Sequence, residues 1–329
     1  MKRRSAPTSS GESRRLDNLC HSLVGMALGR AGLTRRTALA TSTLVIANNL
    51  PDIDVGVFLT NTLAMSFRRG WTHGVLAQAT LPIALTGAML LYDRYRKKSS
   101  PDDRVVASQI LLLSYLGVLL HVFMDWCNSY GVRLLMPFSQ QWFYGDALYI
   151  VDPWLYLLLG LAWWLGKNRP RVARIGVSLA AVYVIAMIGS NVIARLEVAS
   201  GLDRAGRPGA RFMVTPVVVN PFRREVIVDV GDRYEKGNLW FDPLPHFRPA
   251  GFGIETGLHQ PWAQDSLRLP RAQAFLRWSR FPFIQADQSA GTDAGAIWLN
   301  DYRYANAGPY GWSAVNLSRS QDLKTSGPK

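Results

Sequence analysis

Apolar residues come in long unbroken runs before about residue 200 of this chain and in short alternating ones after it. Gly74 to Tyr92 runs 19 residues with Gln78 as its only strongly polar side chain. A helix of that length crosses a hydrocarbon core of about 30 Å. Val105 to Trp126, Tyr149 to Gly166 and Val172 to Ala194 are of similar length and read as further spans. Thr37 to Leu59 is long enough but is broken by Asn48, Asn49, Pro51, Asp52 and Asp54. Its polar end must therefore face protein or water. Leu19 to Leu33 is marginal. The pattern predicts a polytopic α-helical membrane domain of about five to six segments.

From about Gly201 the period changes. Phe212 to Val219 and Glu225 to Val230 are β-branched runs joined by Asn220-Pro221-Phe222, a strand, turn, strand pattern. Pro270 to Ser279 predicts a helix, and Ala296 to Tyr304 another strand. A soluble α+β or mostly β domain of about 130 residues is large enough for its own core. The expected organisation is a disordered basic tail over 1–15, a helical membrane domain over 16–198 and an extracytoplasmic domain over 199–329. Met1 to Arg15 is polar and basic, and no cleavable signal peptide is evident.

Composition sharpens this picture only when it is located. The mean hydropathy of +0.03 averages the two halves. A net charge of +14 could suggest nucleic acid, but Arg94, Arg96, Lys97, Lys98 and Arg104 fall in one loop between spans. Lys167, Arg169, Arg171 and Arg174 fall in another. Such clusters mark cytoplasmic loops, so the charge reads as topology and no nucleic-acid partner is expected. With both loops inside, His73, His121, Asp125, Asp52 and Asp54 converge on the outer face. His21 joins them only if the first segment starts outside, whereas Lys2, Arg3, Arg4, Arg14 and Arg15 favour an inner tail. Convergence is the preferred reading, with a re-entrant first segment. Two cysteines, Cys20 and Cys127, cannot build a disulfide framework or a cysteine-rich zinc site.

Those converging residues carry the candidate chemistry. Ionisable side chains within or beside membrane spans are costly and mark functional sites. His121 and Asp125 are one helical turn apart on one face. Asp52 and Asp54 follow Pro51, where a broken backbone lets both reach one ion. Imidazole with carboxylate suits zinc, iron or manganese. An ion so held relieves carboxylate repulsion and lowers the pKa of a bound water toward neutrality, which is hydrolase chemistry. A buried polar network that merely packs helices is the plainer alternative.

The words Asp17-Asn18-Leu19-Cys20-His21, Pro51-Asp52-Ile53-Asp54, Arg69-Gly70-Trp71-Thr72-His73, and Leu116-Gly117 to His121 and Asp125 occur in that order, followed by Gly131 to Phe138. The combination resembles the YdjM-like bacterial inner-membrane metal-dependent hydrolases, and its ligand order is similar to that of the zinc-dependent phospholipase C and P1 nuclease fold. The resemblance implies metal ligation by His21, His73, His121, Asp125 and one or both of Asp52 and Asp54. Arg68 replaces a histidine common in that family, and the final His-x-x-x-Glu of the soluble phospholipases is absent, which favours one or two ions, zinc first. Asp146 and Asp152 lie where later acidic groups complete such a site, although Asp152 precedes Pro153 and is equally a helix cap. Arg69 and Arg133 are candidates to hold a phosphoryl group. Trp71, Trp126, Trp142, Tyr144, Tyr149 and Trp154 read as an interfacial aromatic belt.

The sequence thus predicts a multi-pass inner-membrane hydrolase with its metal site and C-terminal domain on the periplasmic side. Its substrate would be a phosphoester of a membrane lipid or lipid-linked molecule, with Asp146, Asp152 and Arg69 as catalytic candidates. An ion-coupled transporter and a non-catalytic, metal-stabilised scaffold are the alternatives.

Overall fold

The computed structural model describes residues 9–33, 37–60, 67–97, 103–287, 296–307 and 313–318, with only the backbone described for 9–17, 58–59, 250, 287, 296 and 306–307. Helix α1, Ser9–Arg30, starts inside the expected tail; residues 1–8 lie outside the described part. Helix α2 is short, Ala40–Ala47, because Pro51 has no N–H to continue its ladder. A 3-10 segment, Leu50–Leu59, follows with Pro51 in its first turn. It buries Asp52 and Asp54 while leaving Ile53 and Val55 exposed. The broken span expected over Thr37 to Leu59 is therefore two short pieces meeting at the acidic pair.

Helices α3, Val75–Tyr95, α4, Ala107–Cys127, and α6, Pro170–Arg204, are the three that are long and apolar enough to cross a membrane among the described residues. The span expected over Tyr149 to Gly166 is shorter. Asp152 accepts from the backbone N–H groups of Trp154 and Leu155, and Pro153 occupies the first turn, so α5 is only Pro153–Leu165. At 1.5 Å per residue it is about 20 Å long, less than a hydrocarbon core.

Helix α2 packs between α1 and α4, and α1 also packs on α5 and α6. Gly25 and Gly117 permit this. A Cβ on Gly25 would lie 2.9 Å from the Cα of Val45, and one on Gly117 would strike the Ala47 side chain. Both glycines lie beside the acidic break, so they set how closely α1 and α4 bring His21 and His121 to it.

Helix α6, about 52 Å long, outruns a bilayer. Its last turns seat Ala194, Val198 and Leu202 against Val214, Val226, Val228 and Leu239. Those valines and the leucine belong to an antiparallel four-stranded meander of β1, Phe212–Pro216, β2, Arg223–Asp229, β3, Arg233–Phe241, and β4, Pro245–Glu255. The register pairs Met213 with Ile227 and Val226 with Gly237, and the β3–β4 ladder shifts between Glu235 and Gly237. Two short helices, α7, Pro261–Leu267, and α8, Pro270–Trp278, precede an antiparallel three-stranded sheet of β5, Pro282–Asp287, β6, Ala296–Asp301, and β7, Ala314–Asn316.

This second part docks on the loop that follows α4. Trp278 Nε1–H donates to the Tyr130 carbonyl at 3.2 Å, Tyr144 Oη–H donates to the Trp278 carbonyl at 3.1 Å, and Arg303 donates to the Ser129 carbonyl at 2.6 Å. Trp142 and Tyr144, expected in an aromatic belt, are drawn into this junction, while Trp71, Tyr149 and Trp154 are exposed.

Candidate metal centre

Four residues from three separate segments meet at one point inside the helical bundle. Asp52 comes from the 3-10 segment, His73 from the turn before α3, and His121 and Asp125 from successive turns of α4. Each offers a ligand atom within 4.8 Å of all the others. His73 Nε2 and His121 Nε2 are 3.1 Å apart. Asp125 Oδ2 lies 3.2 Å from His73 Nε2 and 3.7 Å from His121 Nε2, and Asp52 Oδ1 lies 4.0 Å from each. Zinc bonds of 2.0 to 2.1 Å in a tetrahedron put neighbouring ligand atoms about 3.3 Å apart. The separations of His73 from His121 and from Asp125 are close to that spacing, while the His121–Asp125 and Asp52 separations are wider.

Hydrogen bonds behind the donors orient them. His121 Nδ1–H donates to the Asn48 carbonyl at 2.7 Å, which leaves the Nε2 lone pair facing inward. His73 Nδ1 lies 2.9 Å from Thr72 Oγ1 and 3.6 Å from Asp54 Oδ2, the same arrangement on the second ring. Two inward lone pairs 3.1 Å apart repel each other unless a cation or a shared proton lies between them. The residues fit a divalent ion on two further counts. Asp52 Oδ2 is buried with no hydrogen-bond partner among the described residues. Three carboxylates, Asp52, Asp54 and Asp125, face two guanidinium groups, Arg68 and Arg69, which leaves a negative charge to balance.

The remaining expected ligands divide. His21 is in the cluster, its Nε2 3.4 Å from Asp125 Oδ1 and its ring stacked on His121 at 3.9 Å between centroids. Asp54 stands behind the ligands, where it accepts from the Arg69 backbone N–H at 2.7 Å and from Thr72 Oγ1–H at 3.2 Å. The Arg69 backbone holds a left-handed φ of 50°, an uncommon conformation for a side-chain-bearing residue, fixed here by that bond to Asp54.

Among the three catalytic candidates, Arg69 is nearest the cluster: its Nε is 2.8 Å from Asp125 Oδ2 and its Nη1 donates to Asn128 at 3.0 Å. It is buried. Arg133 is buried too; it donates to the carbonyls of Phe67 and Arg68 and stacks over Trp142, bracing the turn that carries Arg68 and Arg69. Asp152 lines a small cavity of about 20 Å³ together with His21, Asp125 and Asn128. That is room for about one water with polar partners on several sides. Asp146 faces the other way. Both of its oxygens accept from Arg280, at 2.9 and 2.8 Å, and burial pushes its carboxyl up against the pull of that guanidinium.

Arg68, Asn48 and Asn128 were not expected to serve the site. Arg68 stands where a histidine is common in the resembling family and instead bonds Asp52 at 3.2 Å and Asp54 at 3.4 Å. Its place in the Arg68-Arg69-Gly70 run ahead of Thr72-His73 was the available signal.

A family model described as YdjM inner membrane protein matches residues 16–194, more than half of the chain. The chain belongs to the YdjM inner membrane protein family. Among curated proteins it is 26% identical over 181 residues to "Uncharacterized protein YfhP" of Bacillus subtilis (strain 168), a match covering 52% of this chain and 51% of that protein. It thus spans about half the length of that relative. No solved structure matches, so the expected likeness to phospholipase C and P1 nuclease has no counterpart there. Every member of the buried cluster falls inside the YdjM-matched segment, whereas Arg280 and Arg303, which bind the C-terminal part to it, fall outside.

Proposed function

We propose that this YdjM family member is a membrane-bound, metal-dependent hydrolase acting on a phosphoester of a lipid or lipid-linked molecule at the extracytoplasmic end of its spans. The observation that carries the reading is the 3.1 Å approach of two inward imidazole nitrogens with two carboxylates around them. His73, His121, Asp125 and Asp52 would hold the ion, with zinc the first choice, manganese or iron compatible, and one or two ions per chain. An ion bound there would supply Lewis acidity and a water of lowered pKa.

The chain's own groups do the rest. Asn48 and Asp54 fix the tautomers of His121 and His73. Arg69 neutralises Asp125 and holds its carboxylate in place. Asp152, which accepts from Tyr183 Oη–H and lines the one-water cavity with His21 and Asp125, would exchange a proton with water there. The surrounding apolar spans favour a substrate that arrives through lipid. They argue against an ion-coupled transporter, whose polar groups must run the full depth of the bundle, whereas here they gather at one end.

One observation favours a second reading, a non-catalytic scaffold stabilised by metal: the four candidate ligands are 0–3% exposed. Full-length protein reconstituted with zinc or manganese separates the two. The hydrolase reading expects bound metal by elemental analysis, its loss in H121A and in D125A, and turnover of phosphate esters. It also expects D152N to keep its metal while losing on the order of a hundredfold in rate. Metal binding without turnover on any ester, together with unfolding on chelation, identifies the scaffold. Full metal retention in both alanine variants overturns the centre itself.

A further inference from the structure

At the end of the bundle opposite the metal centre, two cavities open side by side. One, about 350 Å³, lies among the end of α1, the start of α2 and the α5–α6 turn, and is lined by Arg30, Thr41, Trp163 and Lys167. The other, about 520 Å³, is lined by Arg169, Arg171 and Arg174 and shares Pro170 with the first. Both volumes are in the range of small-ligand sites, about 300–1,000 Å³.

Positive-inside topology accounts for basic residues in a loop, but not for what these do. Among the described residues, no acidic residue lines either cavity. Arg30 donates to the Lys167 carbonyl and Arg174 to the Pro170 carbonyl, both at 3.4 Å, and none of the five cations pairs with a carboxylate among the described residues. The basic loop between α3 and α4 behaves differently. There Arg96 is clamped by Asp93 at 2.7 Å and by Asp103. Arg96 is thus neutralised by its neighbours, whereas five positive charges line the two cavities. Helix α6 adds its own positive end, since no side chain caps the N-terminus of this 35-residue helix. Beside the void, Trp163, Trp164, Leu165, Ile175 and Leu179 are exposed, an apolar surface continuous with a charged pocket.

We infer that this junction binds the phosphodiester headgroup of an anionic phospholipid, with its acyl chains lying along α5 and α6. Basic pockets between membrane helices recognise such headgroups by charge, and the flanking apolar faces distinguish a lipid from a free anion. Neither the metal centre nor its chemistry enters this inference.

Native mass spectrometry of the full-length protein in non-ionic detergent tests it. Phosphatidylglycerol and phosphatidylcholine are offered at equal concentration, and inorganic phosphate serves as a separate competitor. Phosphatidylglycerol is expected to be retained in preference to phosphatidylcholine. Its affinity should fall about fivefold for each charge removed, hence about 25-fold in R30Q/K167Q. R171Q/R174Q, on exposed or half-exposed positions, provides the same reading if the first variant does not fold. R94Q/K97Q in the other basic loop is expected to bind as the wild type does. Equal retention of the two lipids, or unchanged affinity in both variant pairs, overturns the site. Displacement of phosphatidylglycerol by inorganic phosphate alone overturns its assignment to a lipid.

Discussion

A buried carboxylate is tolerable only in company, and Asp125 shows what that requires. It has Arg69 at 2.8 Å, His73 at 3.2 Å and His21 at 3.4 Å. Removing one partner of a buried ion pair typically costs about 3–5 kcal/mol, because the other charge is left uncompensated. R69A should therefore be strongly destabilised when metal-free. A divalent ion in the cluster supplies positive charge to the same carboxylate, so saturating zinc should raise the melting temperature of R69A more than that of the wild type. A smaller zinc effect in R69A, measured by thermal melts of detergent-solubilised protein, would place the ion away from Asp125. The candidate cluster was readable in sequence because His, Asp and His-x-x-x-Asp stand out against apolar surroundings. Arg68 was not, since its pairing with Asp52 and Asp54 depends on how the turn at Gly70 folds back on the 3-10 segment. His21 was ambiguous for a different reason. Terminal basic residues argued about topology, whereas packing of α1 on α2 decides its depth.

At the scale of elements, hydropathy located α3, α4 and α6 because a membrane span declares itself over about twenty residues. It overestimated α5, whose Asp152 cap and terminal Gly166 limit it to 13 residues inside a longer apolar run. The β1–β2 pair and α8 were legible from alternation and from Pro270, whereas the partition into two sheets depends on long-range pairing that period alone does not encode. The close α1–α2–α4 packing carries its own test. G117A adds one methyl against Ala47 and should cost about 1–3 kcal/mol through overpacking. Because α4 carries His121 and Asp125, metal affinity should fall along with the melting temperature. Lost stability with unchanged affinity, read by zinc competition, would show that the centre tolerates displacement of α4.

In the whole molecule the junction between the two halves is held by charge as well as by Trp278. Asp146 is 1% exposed at its side chain and Arg280 19%, so the two are not equivalent. In R280Q the carboxylate is left buried without its main partner, while in D146N the guanidinium keeps some access to water. R280Q should therefore be the more destabilising, by on the order of 3 kcal/mol at neutral pH. The pH dependence has a definite sign. Burial raises the folded-state pKa of Asp146 above the unfolded value of about 3.9. Its contribution to stability is then fullest below that value and is lost as pH rises through the raised one. The stability of the wild type relative to D146N should decline across that window in urea unfolding, and a difference that grows with pH would reverse the assignment.

Sidedness ties the centre, the junction and the lipid pocket into one arrangement. Helix α6 runs from the basic turn at Pro170 to the sheet at Leu202, so that turn and the C-terminal part stand at opposite ends of a helix longer than a bilayer. The excess of arginine and lysine at the turn favours its placement in the cytoplasm. On that placement the candidate metal centre and the sheets would share the extracytoplasmic side. Cys20 and Cys127 are both buried, so an introduced surface cysteine can report position against a quiet background. Asn168 is exposed in the basic turn, and Asp265 has an 84% exposed side chain on α7. With a membrane-impermeant maleimide, D265C should be labelled in intact spheroplasts and N168C only after lysis. The reverse pattern would put the cluster, and any hydrolysis it performs, on the cytoplasmic face.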